Sequence, residues 1–573
     1  MSGVRPYAQL RHDIARRDRS LREKVVSLEE ATSFVRDGDA VGIGGSTMSR
    51  TPMGMIWALI RAGKKRLSCS RCIVSSDGDL LYGSGACDHI ITSWFSQGIL
   101  WGVSKVMRHH VETGQARYEE WSHMAMGMRF RAGAMGVPFM PVRSMLGSDV
   151  LRQRPEPVEM DCPFTKEKIL LVPALNPDVA LIHVQRCDAY GNAQIDGLSF
   201  MDADLAMAAD KVILTTERII SNDQIRRAPD QTRIPFFVAD AVVELPFGCA
   251  PHECYGVYEP MLRHMRSYVE LVNRDPVKGM QQYLDRFVFG PKSWTEFLDL
   301  IGSTSCWRPP EPVQASMMTK TADHSAAELL TILSARQLED GQVVFAGVGI
   351  PLLAATLAQR LRCPGLTILF EGGVIGAFIE PGKLPPSTND QRCTRRANMV
   401  LGSAEVLLLL QRGYVDVGFM GGAQIDQYGN LNSSFIGDPK KPRTRLPGTG
   451  GGNDIASLTR MIVTMKHERR RFVENVDFVT SPGWLSGGDT RPSSGLPTGG
   501  TYRVVTDLAV LGFDENSRRM KAIALNPGVT REQVQDNTGF LLLFDQETGV
   551  TQPPTDHELA ILREFDPDRL YTA

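Results

Sequence analysis

Short apolar runs alternate with longer amphipathic segments along this chain. Residues 177–182 and 415–420 are mainly apolar and have the length of a buried strand, whereas residues 326–337 and 352–361 carry the periodicity of helices. Strands that alternate with helices are typical of α/β folds, in which the strands run mainly parallel. The pattern therefore predicts an α/β protein with mainly parallel sheets.

The strand pattern occurs twice, with a similar turn after each copy. In the first copy Asp178, Asp188 and Gly191 follow one another at intervals of ten and three residues, and the second copy repeats these intervals from Asp416. In both copies a Gly-Asn pair supplies the positive φ that a turn after a strand requires. Such internal similarity predicts two pseudo-repeated domains, each with an open sheet.

The two halves differ in length. Residues 36–45 match residues 339–349 at an offset of 303 residues, whereas Asp178 and Asp416 are 238 residues apart, so the first half carries an insertion that we place around 107–161. A Pro-rich, polar stretch joins the halves and has the composition of a linker. The predicted organisation is an N-terminal tail (1–26), a first domain (27–302), a linker (303–325) and a second domain (326–573).

Composition and charge narrow the classes of function. The 573 residues are 42% hydrophobic, which suffices for large cores, and the net charge is −2. This balance, without a long charge block, gives no support for a nucleic-acid partner. No stretch reaches the roughly eighteen apolar residues that a membrane span needs. The Arg-rich N-terminus lacks the apolar core of a secretory signal, so we expect a cytoplasmic protein without a membrane partner.

The ten cysteines form no framework. Cys69 and Cys72 make a CxxC motif, but a single motif without a second pair is weak evidence for zinc. A redox pair is an alternative, and two ordinary thiols in a reducing compartment are the interpretation that we favour. We therefore expect no metal site.

Glu371 is the residue that points most directly to chemistry. It ends the apolar run 368–370 and is followed by three glycines within five residues. A carboxylate at the carboxyl end of a strand lies where α/β sheets bind their ligands. The structural alternative is a hydrogen-bonded glutamate that caps the next helix, because a carboxylate among apolar residues must be exposed, paired or neutralised.

Four glycine-rich turns follow predicted strands, and bare backbone N–H groups there can hold a phosphate or an oxyanion. None contains a complete dinucleotide-binding or ATP-binding motif, so those cofactors are weakly supported. Four such turns together with one carboxylate favour a shared cleft, although a single glycine is more often just a turn. The turns lie at 42–45, 347–349, 420–422 and 447–454.

These segments together resemble the family I CoA-transferases, with α and β subunits fused in one chain. The resemblance covers about 27–543. In the first half it rests on residues 42–52 and on residues 130–141 and 146–149, which are similar to the glutaconate-type α subunit. In the second half it rests on residues 422–430, 476–483, 505–510 and 526–530. The implied fold has two pseudo-repeated, mainly parallel-sheet domains that face one another across a cleft.

The resemblance implies a nucleophile and a reaction. In that family a glutamate of the β subunit in an E-x-G-x-x-G turn is catalytic, and Glu371, Gly373 and Gly376 match this turn. The implied reaction moves CoA from an acyl-CoA to a free carboxylic acid by a ping-pong mechanism through a glutamyl anhydride and a glutamyl-CoA thioester. CoA is then a substrate thioester, with acyl-CoA and carboxylic acids as the small-molecule partners. A dimer of fused chains is expected from the family alone.

Further site residues follow from this comparison. Backbone donors for the oxyanions are expected at Gly347, Gly349, Gly451 and Gly452, and the Gln424 amide is a further candidate whose structural alternative is a strand-end hydrogen bond. Arg129 and Arg131 are candidates to pair with a second substrate carboxylate or, equally, to hold structural acids. The candidate substrate-binding set is Gly44, Ser75, Ser76, Arg129, Arg131 and Gly373.

Two other classes of function stay open at this stage. The same superfamily contains ring-opening hydrolases of CoA thioesters that use a glutamate of the α half, and Glu119 and Glu120 lie in the corresponding region. Their structural alternative is a solvated helix start. A non-catalytic acyl-CoA-binding protein is the third possibility. The presence of Glu371 within its glycine turn favours the transferase.

Overall fold

The computed structural model describes residues 4–98, 101–304, 324–496 and 498–573. The strands of the first half are β1 (Ala40–Ile43), β2 (Leu67–Ser70), β3 (Ile73–Val74), β4 (Cys87–Thr92), β5 (Trp94–Phe95), β6 (Arg117–Glu120), β7 (Phe139–Val142), β8 (Val158–Asp161), β9 (Lys168–Pro173), β10 (Val179–Cys187), β11 (Ala193–Gln194), β12 (Lys211–Ile219), β13 (Thr232–Ile234) and β14 (Ala241–Glu244). Its helices are α1 (Tyr7–Arg16), α2 (Leu28–Ser33), α3 (Met53–Arg61), α4 (Ser76–Gly83), α5 (Lys105–Glu112), α6 (His123–Met135), α7 (Asp149–Arg152), α8 (Asp202–Ala208), α9 (Asn222–Arg227), α10 (Leu262–Arg274), α11 (Pro276–Tyr283) and α12 (Trp294–Thr304), with short 3₁₀ and π segments at Pro229–Gln231 and Leu284–Phe289.

The second half has its own set of elements. Its strands are β15 (Val343–Phe345), β16 (Thr367–Leu369), β17 (Val374–Ile375), β18 (Met399–Val400), β19 (Val417–Met420), β20 (Gln424–Ile425), β21 (Leu431–Asn432), β22 (Phe435–Ile436), β23 (Thr444–Arg445), β24 (Arg460–Thr464), β25 (Gly500–Val505), β26 (Ala509–Phe513), β27 (Met520–Leu525) and β28 (Leu543–Val550). Its helices are α13 (Ala326–Ala335), α14 (Ile350–Leu361), α15 (Ser403–Arg412), α16 (Gly452–Leu458), α17 (Thr490–Ser493), α18 (Arg531–Asp536) and α19 (Asp556–Phe565), with a 3₁₀ turn at Gln391–Thr394.

Each half is built on one mainly parallel sheet. The first sheet contains the parallel series β14-β12-β10-β1-β2-β4-β6. The second contains the parallel series β25-β24-β19-β15-β16 and continues through antiparallel pairs at its edges. The central strands match in both, because β1 pairs with β10 as β15 pairs with β19. The predicted α/β fold with two pseudo-repeated, mainly parallel sheets is confirmed.

The repeated turn has the same internal hydrogen bonds in both halves. Asp188 accepts hydrogen bonds from the backbone of Tyr190 and Asn192, and its other oxygen accepts from the Asn192 side chain. Asp426 makes the same three contacts with Tyr428 and Asn430. An aspartate that accepts from the backbone two and four residues later closes a turn locally. The sequence repeat is therefore a repeat of structure.

The predicted insertion supplies the element that joins the halves. It contains α6, of whose 13 residues ten are buried, and the strands β7 and β8, each of which pairs antiparallel with β9. One apolar core cluster includes Met124 and Met126 of α6 together with Val406 and Leu410 of α15 in the second half. Burial of large apolar side chains from both halves stabilises their contact. The cleft therefore has a fixed geometry next to α6.

Several elements lie near the boundaries that the sequence predicts. The N-terminal tail contains α1, and its last residues join the first domain, since the backbones of Lys24 and Val26 donate to Ala189 and Val242. The linker 303–325 lies mostly outside the described residues, with residues 303 and 304 ending α12 and residues 324 and 325 preceding α13. None of the helices described above combines the length and apolar composition that a bilayer crossing requires.

Candidate active site

Glu371 lies in a tight turn directly after β16. The Phe370 N–H donates to the Val374 carbonyl, and the Gly373 N–H donates back to the Phe370 carbonyl. This turn folds β17 back along β16, so the Glu371 side chain is held at the carboxyl end of the strand. The strand end predicted for the carboxylate is therefore where the structure places it.

Gly373 explains why the turn needs glycine. Its φ is 119°, in the region that L side chains rarely adopt. A Cβ atom at this position would lie 2.1 Å from the Leu401 carbonyl oxygen, which belongs to the next chain segment. Leu401 in turn donates its N–H to the Gly373 carbonyl. The contacts that the structure gives Gly373 are with the protein backbone.

A cavity of about 330 Å³ lies in front of Glu371 and is lined by both halves. The first half contributes Thr47, Met48, Ile73, Ser75, Trp94 and Gly98. The second half contributes Phe345–Val348, Pro351, Glu371, residues 386–389, residues 419–421, residues 449–452 and Ile455. Among these described lining residues, Glu371 is the one that carries an acidic or basic side chain. The cavity is thus an apolar chamber with a single carboxyl group.

The Glu371 carboxyl group is held from two sides. Its Oε1 accepts from the Thr388 hydroxyl at 3.3 Å, and the position that a Cβ of Gly451 would take is 2.8 Å from its Oε2. Burial raises the pKa of Glu371 to about 7, and the nearby Asp454 carboxylate adds to this, while the hydrogen bonds from Thr388 and the Gly451 backbone oppose it. Only 19% of the side chain is exposed. A carboxylate that is poorly solvated is a stronger nucleophile than one in water.

His123 is a neighbour of Glu371 that the sequence did not reveal. It is the first residue of α6, and its Nδ1 lies 3.6 Å from Glu371 Oε2. Burial lowers the pKa of His123 to about 4, so the ring is neutral at pH 7 and the contact is not an ion pair. Neither ring nitrogen has a hydrogen-bond partner among the described residues. Since buried polar atoms are normally paired, the two unpaired nitrogens of His123 are unusual, although the residue itself is not among those that line the cavity.

Two polar side chains in the cavity wall are unpaired in the same way. The Ser75 hydroxyl and both polar atoms of the Asn389 amide are buried without a hydrogen-bond partner among the described residues. They come from opposite halves. Ser75 was a candidate from the sequence, whereas Asn389 was not. A bound thioester or carboxylate is the kind of polar ligand that such atoms can hold.

The comparisons with known proteins agree with this geometry. The family model for coenzyme A transferase matches residues 25–245 and 328–537, which together make up most of the chain.

The chain belongs to the coenzyme A transferase family.

It is therefore an enzyme that transfers CoA. Its two halves are similar to the two different subunits of the glutaconate CoA-transferase of Acidaminococcus fermentans. One of these subunits is 36% identical to the chain over 260 residues, which cover 44% of this chain and 97% of the subunit. The other is 33% identical over 302 residues, which cover 49% of this chain and 92% of the subunit. The predicted resemblance to a fused family I CoA-transferase is thereby confirmed.

Two further relatives extend the comparison. An uncharacterised protein of Archaeoglobus fulgidus is 37% identical over 290 residues, which cover 50% of this chain and 64% of that protein. The fold of the whole chain is similar to that of the E. coli O157:H7 acyl-CoA transferase YdiF in its thioester complex with CoA, with a TM-score of 0.67 over 95% of this chain and 96% of that one, at 16% identity. At this identity the likeness concerns the fold.

In this CoA-transferase the predicted backbone donors separate into two groups. Gly347, Gly451 and Gly452 line the cavity, whereas Gly349 lies outside its lining. The Gly452 N–H donates to the Thr449 carbonyl and begins α16, so it is already in use. Gly347 and Gly451 therefore remain as candidate donors in the cavity wall, and Gly451 is the one that the structure places beside the Glu371 carboxyl group.

Three other predicted residues lie away from the cavity of the transferase. The Gln424 side-chain oxygen accepts from the Asn432 amide and from the Asp477 backbone, which is the strand-end hydrogen bond of the structural alternative. Gly44 packs against Asp202 and Leu181. The Ser76 hydroxyl pairs with a buried ring nitrogen of His252.

The two candidate arginines hold structural acids instead of facing the cavity. Arg131 pairs with Asp204 and with Glu405, the latter across the two halves. Arg129 donates to the Pro173 carbonyl and lies within 3.8 Å of Glu119. Neither arginine lines the cavity, and both lie beside protein acids, as the structural alternative expects.

Glu119 and Glu120 also have protein partners outside the cavity. Both lie in strand β6 and not at a helix start. Burial acts to raise the pKa of Glu119, but its hydrogen bonds with His89 and Trp121 and the neighbouring arginines prevail and lower that pKa to about 2. Glu120 is buried and pairs with Arg445 of the second half at 2.6 Å. Their solvated alternative is wrong, because both are enclosed by cations.

Proposed function

We propose that this enzyme transfers CoA from an acyl-CoA to a free carboxylic acid in a ping-pong reaction in which Glu371 is the covalent nucleophile. The proposal rests on one observation, namely a single carboxyl group at a strand end in an apolar cavity that both halves line. A carboxylate and a thiolate are already competent nucleophiles, so the reaction needs no general base. This agrees with a cavity whose described lining residues offer no basic side chain.

The first two steps load CoA onto the enzyme. The Glu371 carboxylate attacks the thioester carbonyl, the C–S bond breaks, and CoA leaves as the thiolate with a mixed anhydride left behind. The thiolate then attacks the Glu371 carbonyl carbon. The anhydride C–O bond on the glutamyl side breaks, the donor acid leaves as its carboxylate, and a Glu371–CoA thioester remains. The acceptor carboxylate then runs the two steps in reverse.

Each attack places negative charge on a carbonyl oxygen, so hydrogen-bond donors are needed. We assign this role to the backbone N–H groups of Gly347 and Gly451, which line the cavity beside Glu371. One such donor typically contributes about 3 kcal/mol to the transition state. His123 is assigned to the attack on the glutamyl carbonyl, because its Nδ1 is 3.6 Å from Glu371 Oε2.

The cavity also indicates the class of acyl group. Its walls contain Trp94, Phe345, Phe419, Met48 and Ile455, with no Lys, Arg or His among the described lining residues. A second carboxylate on the substrate would be desolvated there without a cation, which is costly. At about 330 Å³ the cavity suits the acyl group and the thioester rather than the whole of CoA. We therefore propose apolar monocarboxylic acyl groups as substrates.

Trapping the enzyme intermediate tests the nucleophile. Incubation with a panel of apolar acyl-CoA thioesters in the absence of acceptor is expected to add the mass of CoA less water to a peptide that contains Glu371. Glu371→Gln and Glu371→Ala should lose the adduct and reduce transfer by about 10⁴-fold or more. An adduct on another peptide would refute the assignment of Glu371 as nucleophile. Active Glu371 variants alongside inactive Glu119→Ala or Glu120→Ala would establish the hydrolase alternative instead.

A separate comparison tests the substrate class. Apolar monocarboxylic acids and dicarboxylic acids of similar length are offered as acceptors to the CoA-loaded enzyme, and the products are followed by mass spectrometry. The monocarboxylic acids should react with the higher kcat/KM. Preference for the dicarboxylic acids would contradict the proposed substrate class while leaving the role of Glu371 intact.

A further inference from the structure

Four side chains that can bind a metal ion converge in the first half, outside the cavity. His183, Glu217, Cys249 and Cys254 each offer one nitrogen, oxygen or sulfur atom, and these four atoms lie within 4.8 Å of one another. The imidazole and both thiols are buried. We call these four residues the HECC cluster. His183 lies on β10, Glu217 on β12, and the two cysteines lie in the loop that follows β14.

The sheet fixes two of the four ligands. His183 is the register partner of Thr215 across β10 and β12, and Glu217 lies two residues further on. Side chains two apart on a strand point to the same face, so His183 and Glu217 face the same side. His183 Nδ1 is 2.8 Å from the Thr215 hydroxyl, which leaves Nε2 directed to Glu217 Oε1, also at 2.8 Å.

Hydrogen bonds with neighbouring residues orient the His183 and Glu217 side chains, as such bonds do around a bound metal. In metal sites the second ring nitrogen of a histidine ligand typically donates to a fixed acceptor, which here is Thr215. The other Glu217 oxygen accepts from the Phe247 backbone at 2.7 Å, and the Tyr258 hydroxyl donates to Oε1. The Cys249 N–H donates to that same tyrosine oxygen. The cluster is therefore oriented by its own loop.

We propose that the HECC cluster binds one Zn²⁺ ion. Two sulfurs, one imidazole nitrogen and one carboxylate oxygen form a donor set that zinc accepts in tetrahedral geometry, and thiolates disfavour magnesium and calcium. On binding, the two thiols release their protons to water and the sulfurs coordinate as thiolates, while the neutral imidazole coordinates through its unprotonated Nε2 and donates its Nδ1–H to Thr215. The ion is structural, because all four positions are protein ligands.

The bound ion would fix the loop that supports one wall of the active-site cavity. Next to Cys254 in the chain, the Glu253 N–H donates to the Met48 carbonyl, and its carbonyl accepts from the Arg50 N–H. Met48 and its neighbour Thr47 line the cavity. The two cysteines are five residues apart, but Glu217 and His183 lie 32 and 66 residues before Cys249, so the sequence showed no complete metal motif.

The metal content and ligand set of the full-length protein test the proposal. Protein purified under reducing conditions should contain one zinc ion per chain, as measured by inductively coupled plasma mass spectrometry. Replacement with Co²⁺ should produce thiolate-to-cobalt charge-transfer and tetrahedral d–d absorption bands. X-ray absorption at the zinc edge should give two sulfur neighbours at about 2.3 Å and two nitrogen or oxygen neighbours at about 2.0–2.1 Å.

Variants locate the site. Cys249→Ser and Cys254→Ser should each abolish the cobalt charge-transfer bands or shift them to a single-thiolate spectrum, while Cys363→Ser, a buried cysteine of the second half, keeps them unchanged. Thr215→Val should weaken zinc binding by about 10- to 100-fold, because it removes the acceptor for the imidazole N–H. Chelation should increase hydrogen exchange at residues 46–50 and 245–258 before the rest of the chain.

Three outcomes would overturn the proposal. One is that the reduced wild-type protein binds neither zinc nor cobalt after reconstitution. Another is an intact mass lower by two hydrogens without metal, which would assign Cys249 and Cys254 to a disulfide. The last is zinc that persists in the double variant of both cysteines. X-ray absorption on the wild-type protein requires no variant. It can therefore refute the proposal even if a variant folds poorly.

Discussion

Burial of the Glu371 carboxyl group is expected to lower the stability of the folded protein while it raises the reactivity proposed for this group. It lies beside the Asp454 carboxyl group and behind an apolar wall, so burial raises its pKa to about 7. Above that pH the folded protein holds a charge that water would solvate better. Hydrogen bonds from the Thr388 hydroxyl and the Gly451 backbone offset this only in part. A shifted pKa with a cost in folding stability is typical of catalytic positions.

Removal of this charge is expected to stabilise the fold at alkaline pH. The pKa of Glu371 is about 7 in the folded state against 4.5 as the ordinary value, so unfolding becomes easier as pH rises through that window. At about 1.4 kcal/mol for each pKa unit, Glu371→Gln should raise the free energy of unfolding by about 3 kcal/mol at pH 8 and change it little at pH 4. Urea unfolding at both pH values measures this.

The matched control has the opposite sign. Glu119 has its pKa lowered to about 2, so its ionised form stabilises the fold above the ordinary value of 4.5. Glu119→Gln should therefore lower the free energy of unfolding at pH 8, and the difference should shrink as pH falls toward 2. Equal stability of wild type and Glu371→Gln at both pH values would contradict the burial of a charged nucleophile.

His123 is expected to act on the chemical steps without adding a titration above pH 5. Its pKa is lowered to about 4 by burial, so the ring stays neutral at working pH. His123→Ala should reduce kcat by about 10²- to 10³-fold, as loss of an oxyanion donor does, and should slow the formation of the Glu371–CoA adduct in rapid-quench experiments. His123→Gln keeps an N–H donor and should recover part of the rate.

If His123 had a purely structural role, its substitution would lower stability without slowing the formation of the adduct. His467 is also buried, with its pKa lowered to about 3, but its ring nitrogens pair with the hydroxyls of Thr506 and Thr538. His467→Gln should lower stability and leave the rate of adduct formation intact. If His123→Ala behaves like His467→Gln, the histidine positions α6 and takes no part in the reaction.

At the scale of elements, the turn after β16 sets the direction of the side chain of Glu371, the proposed nucleophile. Its geometry depends on glycine at 373, because the Leu401 carbonyl occupies the space that a side chain would take. The pattern of an apolar run, a carboxylate and spaced glycines was enough to predict this turn from the sequence. The partners of the turn, Leu401 and Thr388, could not be predicted, because neither belongs to a local pattern with Glu371.

Gly373→Ala should damage activity more than stability. The added Cβ would clash at 2.1 Å with the Leu401 carbonyl oxygen, so the backbone that carries Glu371 must move. A displacement of about 1 Å at a reacting group costs about 10²-fold in rate. Steady-state transfer rates and thermal unfolding of the variant give both quantities.

Gly413→Ala is the control for backbone strain alone. Gly413 ends α15 with φ 93°, and nothing lies within 4 Å of the position of its Cβ. This substitution should cost about 1–2 kcal/mol of stability and leave the rate unchanged. A similar fall in rate for both variants would mean that the turn at Gly373 has no special part in orienting Glu371.

At the scale of the whole molecule, the candidate active site lies where the two halves meet. Arg445 and Glu120 form a buried ion pair across this contact, and the backbones of His123 and Met124 bond to Gly450 and to the Asp454 side chain. The internal repeat predicted the two sheets correctly, because a repeated pattern encodes a repeated set of strands. It could not predict which polar groups pair across the contact, and it is there that Arg131 and Glu120 proved to have partners.

The two halves should therefore function as separate chains. Residues 1–310 and 320–573, expressed separately and mixed, should recover transfer, and neither should be active alone, because the cavity takes walls from both. Arg445→Met should weaken their association by at least about 100-fold, since it leaves Glu120 buried without its cation at a cost of about 3–5 kcal/mol. Activity titration and sedimentation measure this.

An exposed ion pair across the same contact provides the control. Glu259 pairs with Arg392 of the other half but is 52% exposed, so Glu259→Gln should change the affinity of the halves by less than about fivefold. Full transfer activity of residues 320–573 alone would show that the first half is not part of the site.

The proposed nucleophile lies in one half, whereas Thr47, Met48 and Trp94, which form part of the cavity wall, lie in the other. Recombination at the joint between the halves would exchange this part of the wall while the residue proposed to form the thioester stays in place. Chimeras made at this joint offer a route to new acyl selectivity in which the reactive turn is inherited intact. In such a lineage the acyl selectivity can change while the proposed glutamyl-CoA chemistry stays the same.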